Sequence, residues 1–235
     1  MEYLSNIEIL QNKNKIKQTL KEESAFELYF KKQIIDFIES IHKSSIIVDI
    51  GAGSGRFLSY LNQHGFSHLI AVDIDNYLDD DIKENIDFHQ CDLSFDRIPL
   101  HDNSVDIIAC FQVIEHLENP WHFIREAYRI LKNNGIFLIS FPTSKDIFSR
   151  LKFLRSGNVE SFTIDNNHIS FFPQAVQDKL FKKFRIIRKY FVKTPIYCFR
   201  IYGLRKFIKV VLGIKNFPQK QIFSIKTLFF MKKNY

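Results

Sequence analysis

Three glycines stand at alternate positions directly after a short apolar run. Gly51, Gly53 and Gly55 follow "IIVDI" in the segment "IIVDIGAGSGRF". Glycine adopts positive φ angles without strain and has no Cβ atom to obstruct a ligand. A loop of this kind between a strand and a helix also points backbone N–H groups at a bound molecule. The spacing therefore predicts a cofactor that lies against bare backbone.

The glycine pattern, D-x-G-x-G-x-G, differs from two common phosphate-binding loops. The dinucleotide fingerprint G-x-G-x-x-G requires glycine where Arg56 stands, and the P-loop requires G-K-[ST] after its glycines. Asp49, just before the loop, would repel a pyrophosphate but attract an ammonium group. These residues predict a cofactor with a positively charged end.

Two histidines could act as general bases, His116 in "QVIEHL" and His168 in "NNHISFF". Histidine titrates near neutral pH and can take the proton of a hydroxyl acceptor. Each has a structural alternative: His116 as a packed or capping residue, and His168 as an anchor for its loop. Glu115 is interpreted as a structural acid.

No metal site and no disulfide framework are predicted. The cysteines form no C-x-x-C pair, and none has a histidine partner at ligand spacing. This pattern fits a reducing cytoplasm. The three cysteines are Cys91, Cys110 and Cys198.

The elements that would position these residues alternate along the chain. Nearly continuous apolar runs that alternate with helical patterns indicate an α/β fold with a mainly parallel sheet covered on both faces. Ligands bind such sheets at the carboxyl ends of the strands. Strands are predicted at 46–50, 68–75, 86–93, 104–114 and 135–142, and helices at 56–64, 121–131 and 173–184.

Residues 1–43 are predicted to form a helical N-terminal cap, and residues 44–235 the main domain. Two insertions interrupt that domain. The first, about 143–172, is expected to be loop-rich and to lie on the substrate side. The second, about 195–216, is basic and amphipathic.

Four motifs in order resemble the class I S-adenosylmethionine-dependent methyltransferases over about residues 44–142. They are "VDIGAGSG", "AVDID", "CDLSFDRIPLHDNSVDIIACFQVIEHL" and "REAYRILKNNGIFLISFP". The resemblance implies a three-layer Rossmann-like sandwich with a mainly parallel seven-stranded sheet. Segments 185–192 and 222–231 would form its C-terminal antiparallel hairpin.

The resemblance also implies S-adenosyl-L-methionine as cofactor and assigns residues to it. Asp73 would hold the ribose hydroxyls, Asp92 and Leu93 would flank the adenine, and Gln112 and His116 would border the reacting centre. An ordinary structural acid stays open for Asp49, as does a solvated loop residue for Asp73 and a turn aspartate for Asp92. The full implied set is Asp49, Gly51, Ala52, Gly53, Gly55, Asp73, Ile74, Asp92, Leu93 and Gln112 for the cofactor, with His116 and His168 as catalytic residues.

The expected reaction is methyl transfer by in-line displacement to a small-molecule or lipid- or glycan-linked acceptor, with oxygen as the methylated atom. A sulfonium methyl is already activated, so such a transfer depends mainly on alignment. The strand before His116 is not followed by the [DNS]-P-P-[YF] sequence of base-amino methyltransferases. The alternatives are a non-catalytic methyltransferase-like binding subunit, a nucleic-acid methyltransferase, or another S-adenosylmethionine user.

The net charge of +7 is unevenly distributed. Through residue 175 there are 17 Lys and Arg against 25 Asp and Glu, whereas residues 176–235 hold 16 against one. A basic amphipathic helix over 196–215 is predicted to contact an anionic membrane surface. Nucleic-acid binding and an ordinary packed helix stay open. Since no secretory leader pattern is seen, a cytoplasmic protein with peripheral membrane association is expected.

Overall fold

The computed structural model of the protein describes residues 30–143, 147–159, 162, 167–192 and 226–234. Helices span Lys31–Glu39 (α1), Arg56–Gln63 (α2), Pro120–Ile130 (α3), Ile147–Ser156 (α4) and Gln174–Leu180 (α5). Strands span Ile47–Ile50 (β1), Leu69–Asp73 (β2), Asp87–Gln90 (β3), Val105–Phe111 (β4), Leu131–Pro142 (β5), Phe184–Val192 (β6) and Lys226–Lys233 (β7). Short 3₁₀ turns occupy Lys83–Asn85 and Ile114–His116.

The strands form one seven-stranded sheet in the order β3-β2-β1-β4-β5-β7-β6. The first five strands in this order pair in parallel. β7 pairs antiparallel with both β5 and β6, so the last strand in sequence lies inside the sheet. The chain reverses its strand order beside β1, and the ends of β1, β2 and β4 therefore meet at one edge.

Helices cover both faces of the sheet. On one face, Phe123 and Ala127 of α3 pack on Val48 and Val72 of the sheet. On the other, Ile34 of α1 and the apolar side of α2 pack on a second buried cluster. Side chains alternate between the two layers along each strand, because successive residues of a strand point to opposite faces. The three-layer α/β sandwich predicted from the sequence is confirmed.

Two local predictions differ from the structure. The fifth strand was predicted over 135–142, after a helix ending at 131, but β5 already begins at Leu131 and continues through residues 132–134. Asn134 takes a φ of 66° there, and the pairing with β4 shifts register between Val105 and Ile107. Asparagine tolerates this left-handed conformation better than most residues, so the strand absorbs the irregularity.

The segment expected to be loop-rich, about 143–172, contains α4. Its two described apolar side chains are open to solvent: the adjacent Phe153 and Leu154 are 54% and 81% exposed. A helix with so little amphipathic character gives no clear periodic signal. Most of the predicted N-terminal cap and the whole basic segment 195–216 lie outside the described residues. Among the described helices, none has the length and apolarity needed to cross a bilayer.

Candidate active site

The glycine loop connects the end of β1 to the start of α2. Gly51, Gly53 and Gly55 have φ angles of 71°, 54° and 78°, all in the left-handed region. Gly55 is also the N-cap residue of α2. Residues with a side chain rarely adopt these angles, so the backbone path itself requires glycine. The loop turns sharply and directs the N-terminus of α2 toward the edge of the sheet.

The protein's own packing provides a second reason for glycine here. A Cβ atom on Gly51 would lie 2.2 Å from Cγ2 of Val113, and one on Gly55 would lie 2.4 Å from Cδ1 of Ile82. The expectation was that these glycines leave room for a ligand. At Gly51 and Gly55 the missing Cβ instead leaves room for neighbouring side chains. The N–H groups of these glycines already donate within the protein, Gly51 to the carbonyl of Val72, Gly55 to that of Ala52 and Gly53 to Asp73.

Asp49 lies beneath this loop and is only 4% exposed. Burial raises the pKa of its carboxyl to about 8, and the negative charge of Asp73 adds to the rise. No hydrogen bond from a described side chain or N–H group offsets this burial. A buried carboxylate in such surroundings is stabilised by a cationic donor. The ammonium group of S-adenosylmethionine has the charge and the hydrogen-bond donors that this position lacks.

Asp73 joins the end of β2 to the glycine loop. Its Oδ2 accepts a hydrogen bond from the N–H of Gly53 at 2.8 Å, and its Oδ1 accepts one from the N–H of Ile74 at 2.7 Å. Burial raises the pKa of Asp73, whereas these two N–H groups lower it. A carboxylate has about four lone-pair sites, so acceptor capacity remains for two hydroxyl groups. As an acceptor, the Asp73 carboxylate therefore fits the hydroxyls of a ribose and also holds the loop.

Asp92 builds the turn that follows β3. Its Oδ1 accepts from the N–H of Ser94 at 2.9 Å, and its own N–H donates to Asp96 at 3.0 Å. These contacts favour a turn-forming role for Asp92. Its other carboxylate oxygen, Oδ2, takes no part in them. Leu93 is buried, whereas the nearby Phe95 and Ile74 are 63% and 56% exposed. Two apolar side chains near this edge of the sheet are therefore open to solvent.

Gln112 ends β4 in a left-handed conformation, with a φ of 59°. Its N–H donates to the carbonyl of Ser140 at 3.0 Å, and its Nε2 donates to Oγ of Ser140 at 3.1 Å. The side chain thus ties β4 to β5. A non-glycine residue with positive φ is uncommon and often marks a functional position. The sequence predicted a cofactor contact here but not this backbone geometry.

The structure brings His116 and His168 together. Their ring centroids are 4.8 Å apart, in an edge-to-face arrangement. Nδ1 of His116 lies 3.0 Å from the carbonyl oxygen of Asn167. Since a carbonyl only accepts hydrogen bonds, Nδ1 carries the hydrogen and Nε2 keeps a lone pair. Burial lowers the pKa of His116, and the charge of His168 lowers it further, against the effect of Asn167. His116 is therefore neutral at physiological pH.

Glu115 was interpreted as a structural acid, but its surroundings are unusual for one. It is fully buried, and neither carboxylate oxygen has a hydrogen-bond partner. Burial raises the pKa of the Glu115 carboxyl to about 8. The charge of Lys226 and the N–H group of Glu115 itself oppose this rise only in part. That N–H group does not form a hydrogen bond with either carboxylate oxygen. The pKa of Lys226 is in turn lowered by burial to about 8. The isolation of this carboxyl could not be predicted from the sequence.

Backbone contacts hold the histidine pair in place. The carbonyl of Glu115 accepts hydrogen bonds from the N–H groups of Ile169 and Ser170, both at 2.9 Å. The hydroxyl of Ser170 donates to the carbonyl of Leu117 at 2.7 Å. The loop that carries His168 is therefore fixed against the 3₁₀ turn that carries His116. The two catalytic candidates, distant in sequence, share one wall of the site.

Comparison with known proteins identifies the domain. Residues 48–139 match the model of a methyltransferase domain family. One relative is an uncharacterized methyltransferase of Schizosaccharomyces pombe, 35% identical over 97 residues, which are 41% of this chain and 38% of that protein. Another is a ubiquinone biosynthesis O-methyltransferase of Rickettsia bellii, 30% identical over 99 residues, 40% of each chain. The matched region thus covers less than half of these relatives.

Solved structures share the fold across most of the chain. A S-adenosylmethionine-dependent methyltransferase from Aquifex aeolicus has a TM-score of 0.61 at 16% identity, covering 94% of this chain and 97% of that one. A [4+2]-cyclase, SpnF, has a TM-score of 0.61 at 14% identity, covering 91% and 86%. Identities this low establish the fold alone.

Together with the glycine loop and its two carboxylates, these findings define the domain. Residues 48–139 match a methyltransferase domain family, and the sheet around them has the fold of class I S-adenosylmethionine-dependent methyltransferases. That class implies S-adenosylmethionine as cofactor. The residues at the carboxyl edge of the sheet fit it, because they offer a buried carboxylate for the ammonium group and a second carboxylate for the ribose.

Proposed function

We propose that this chain transfers the methyl group of S-adenosylmethionine to an oxygen atom of a small-molecule, lipid-linked or glycan-linked acceptor. The observation that carries the proposal is the neutral His116, whose Nε2 lone pair is set by the bond from Nδ1 to Asn167. A hydroxyl acceptor must lose its proton, and a fixed neutral imidazole can take it. The O-methyltransferase among the relatives supports oxygen as the methylated atom.

In this proposal the residues of the chain bind and orient the two reactants. Asp49 receives the ammonium group, the backbone of Gly51, Ala52, Gly53 and Gly55 lines the methionine and ribose end, and Asp73 with Ile74 holds the ribose. Asp92 and Leu93 border the adenine, and Gln112 shapes the boundary with the acceptor. When bound, S-adenosylmethionine supplies an electrophilic methyl group that needs alignment more than acid assistance.

His116 then accepts the proton of the acceptor hydroxyl on Nε2. Its hydrogen bond to Asn167 keeps the ring oriented while positive charge develops. Burial and the nearby His168 disfavour the imidazolium, so the proton passes readily to solvent after transfer. His168 forms the adjacent wall and contacts the ring of Phe162 at a centroid distance of 5.4 Å. This pair would face the acceptor.

The fold alone does not assign methyl transfer, because a [4+2]-cyclase has the same architecture. The first experiment is therefore calorimetric titration of the protein with S-adenosylmethionine and S-adenosylhomocysteine. We expect micromolar binding in the native chain, abolished in Asp73→Ala. Because Asp73 also holds Gly53, Asp49→Asn serves as a second variant and Asp81→Asn, an exposed site, as the control. Absence of binding to a folded native chain would refute the proposal.

The second experiment measures S-adenosylhomocysteine release with a panel of catechol, sugar and prenyl-linked hydroxyl acceptors. His116→Gln should bind S-adenosylmethionine normally and lose at least about 100-fold in turnover, as expected for loss of a general base. The pH profile of kcat/KM should show an acid limb below pH 6.5, because the pKa of His116 is lowered. Full turnover in His116→Gln would contradict the assignment of the base.

A further inference from the structure

The buried Glu115 has no satisfactory partner inside the described part of the protein. Its carboxylate is fully inaccessible, and neither oxygen accepts a hydrogen bond. Leaving a buried polar atom without a partner is strongly unfavourable, and such atoms in native proteins often indicate an ion or water that completes the site. Lys226 is near enough to influence the carboxyl electrostatically, yet neither oxygen of Glu115 is bonded to it.

Two histidines lie close to this carboxylate, and all three side chains are metal-ligand types. One donor atom from each of Glu115, His116 and His168 lies within 4.8 Å of the other two. Donors bound to one cation at about 2.0–2.2 Å are separated by about 3–4.4 Å, so small side-chain rotations would complete the geometry. His116 already has the second contact that fixes a metal-binding imidazole, since Nδ1 bonds to a backbone carbonyl.

Hydrogen bonds of the backbone hold the three side chains of this cluster close together. Glu115 and His116 belong to one 3₁₀ turn, and the loop with His168 is bound to that turn by two N–H groups and by the Ser170 hydroxyl. Glu115 is buried and the two histidines are half-buried. Preorganisation of this kind distinguishes a built site from exposed acidic groups.

We propose that Glu115, His116 and His168 bind one divalent transition-metal cation of the manganese-to-zinc series. Two imidazole nitrogens and one carboxylate suit these ions, whereas Mg²⁺ and Ca²⁺ prefer oxygen ligands. Three protein ligands leave coordination positions open. The sequence predicted no metal site, because His168 is far from His116 along the chain and only folding brings the three donors together.

This inference deepens the proposed methyl transfer and rests on it for its chemical role. A hydroxyl oxygen of the acceptor would occupy an open position, its O–H bond would break, and the proton would leave to solvent. The resulting alkoxide or phenolate would form a bond to the methyl carbon of bound S-adenosylmethionine as the carbon–sulfur bond breaks, and S-adenosylhomocysteine would leave with the electron pair. His116 would then act as a metal ligand in place of a free base. Metal binding itself does not depend on this role and is tested separately.

The test is titration of the full chain, after treatment with a chelator, with Mn²⁺, Zn²⁺ and Mg²⁺ by calorimetry. We expect one equivalent of Mn²⁺ or Zn²⁺ to bind at micromolar or lower Kd, and Mg²⁺ to bind at least about 10-fold more weakly. Glu115→Gln and His168→Asn should each weaken Mn²⁺ binding by at least about 10–100-fold, the loss typical when only a partner of a metal ligand is removed. His64→Asn is the matched control, because His64 is exposed and its Nδ1 also contacts a carbonyl, that of Tyr60, at 2.7 Å.

A second measurement keeps the test valid if a variant fails to fold. Co²⁺ added to the native chain should give visible absorption bands typical of nitrogen and oxygen ligation, and Zn²⁺ should abolish them. A folded native chain that binds no stoichiometric Mn²⁺, Zn²⁺ or Co²⁺ would overturn the inference. Equal Mn²⁺ binding by native protein, Glu115→Gln and His168→Asn would overturn it too. If S-adenosylmethionine still binds in these cases, the proposed function survives and the metal site alone fails.

Discussion

At the scale of single residues, the site concentrates acidic groups where water has little access. Asp49 and Glu115 both lie at the carboxyl edge of the sheet, and burial raises the pKa of each to about 8. Such groups lower stability when ionised, and proteins retain them where function requires a charge or a proton. The cofactor ammonium is the proposed partner of Asp49, and a metal cation that of Glu115.

The raised pKa of Asp49 gives stability a defined pH dependence. Its ordinary pKa of 3.8 becomes about 8 in the folded chain, so between these values the folded state binds more protons than the unfolded state. The free energy of unfolding contributed by this group therefore falls as pH rises from about 4 to about 8. In Asp49→Asn, without cofactor, the loss of stability between pH 5 and 8 should be at least about 1 kcal/mol smaller than in native protein.

Urea unfolding at the two pH values measures this difference. Glu115 has the same sign but is present in both proteins, so it does not affect the comparison. The exposed Asp81→Asn should lose as much stability as the native chain. An identical loss in Asp49→Asn and native protein would show that the Asp49 carboxyl is ionised normally in the folded state.

Glycine is required at position 51 for two reasons, the positive φ angle and the lack of space for a Cβ atom, and substitutions can test them separately. Gly51→Ala introduces both an unfavourable φ of 71° and an overlap with Val113, whereas Gly65→Ala introduces only an unfavourable φ of 82°, with no atom within 4 Å. We expect Gly65→Ala to lower the unfolding free energy by about 1–2 kcal/mol and Gly51→Ala by a further 1–3 kcal/mol or so. The double variant Gly51→Ala with Val113→Ala should recover part of that further loss. No recovery would show that the overlap is relieved in another way.

At the scale of elements, one side chain of α3, Arg129, bonds to several groups of the segment between β3 and β4. Arg129 donates to the carbonyls of Ile98 and Leu100, each at 2.8 Å, and to the carboxylates of Glu126 and Asp102. The planar guanidinium can reach these groups together because its donors form a fixed fork. This contact positions the connection that leads from the predicted adenine side of the site into β4.

Arg129→Lys should therefore lower the unfolding free energy by about 1–3 kcal/mol, since lysine cannot reproduce several charge-assisted bonds at once. The matched control is Arg97→Lys. Arg97 also contacts Asp102, but its side chain is 71% exposed against 15% for Arg129, so the control should change stability by less than about 0.5 kcal/mol. Thermal and chemical unfolding measure both. Equal effects would mean that the buried network adds nothing beyond a surface pair.

At the scale of the whole molecule, the last strand completes the core. β7 lies between β5 and β6, and its side chains alternate between the two layers, with Phe229 on one side and Leu228 on the other. Phe229 is 1% exposed and stacks on Phe141 at a centroid distance of 5.4 Å. The described elements therefore depend on β7, which pairs with both β5 and β6.

Phe229→Ala should lower the unfolding free energy by about 3–5 kcal/mol, as for other buried phenylalanines, and should keep one cooperative transition. Phe95→Ala, at a position 63% exposed, should change stability by less than about 0.5 kcal/mol. Calorimetry combined with circular dichroism tests this. Two separate transitions in Phe229→Ala would show that β6 and β7 fold independently of the parallel part of the sheet.

Local patterns in the sequence determined the α/β class and the position of the cofactor loop. Strand type follows from continuous apolar runs such as 46–50, and the loop follows from glycine spacing with Asp49, because these depend only on neighbours along the chain. The same patterns carried the second strand to residue 75; the family resemblance assigned Asp73 to the strand end, and the structure ends β2 there. Strand ends were less well determined, as at Asn134, where an irregular residue inside β5 resembles a turn.

Only the tertiary structure decided what the distant residues do. Val113 fills the space beside Gly51, so that glycine is required by packing as well as by a ligand. Asn167 fixes the hydrogen on His116, and His168 and Glu115 complete a cluster whose members no sequence spacing connects. The physical reason is that burial, hydrogen-bond partners and donor distances arise only when separate elements pack, and these quantities set the charge state of each group.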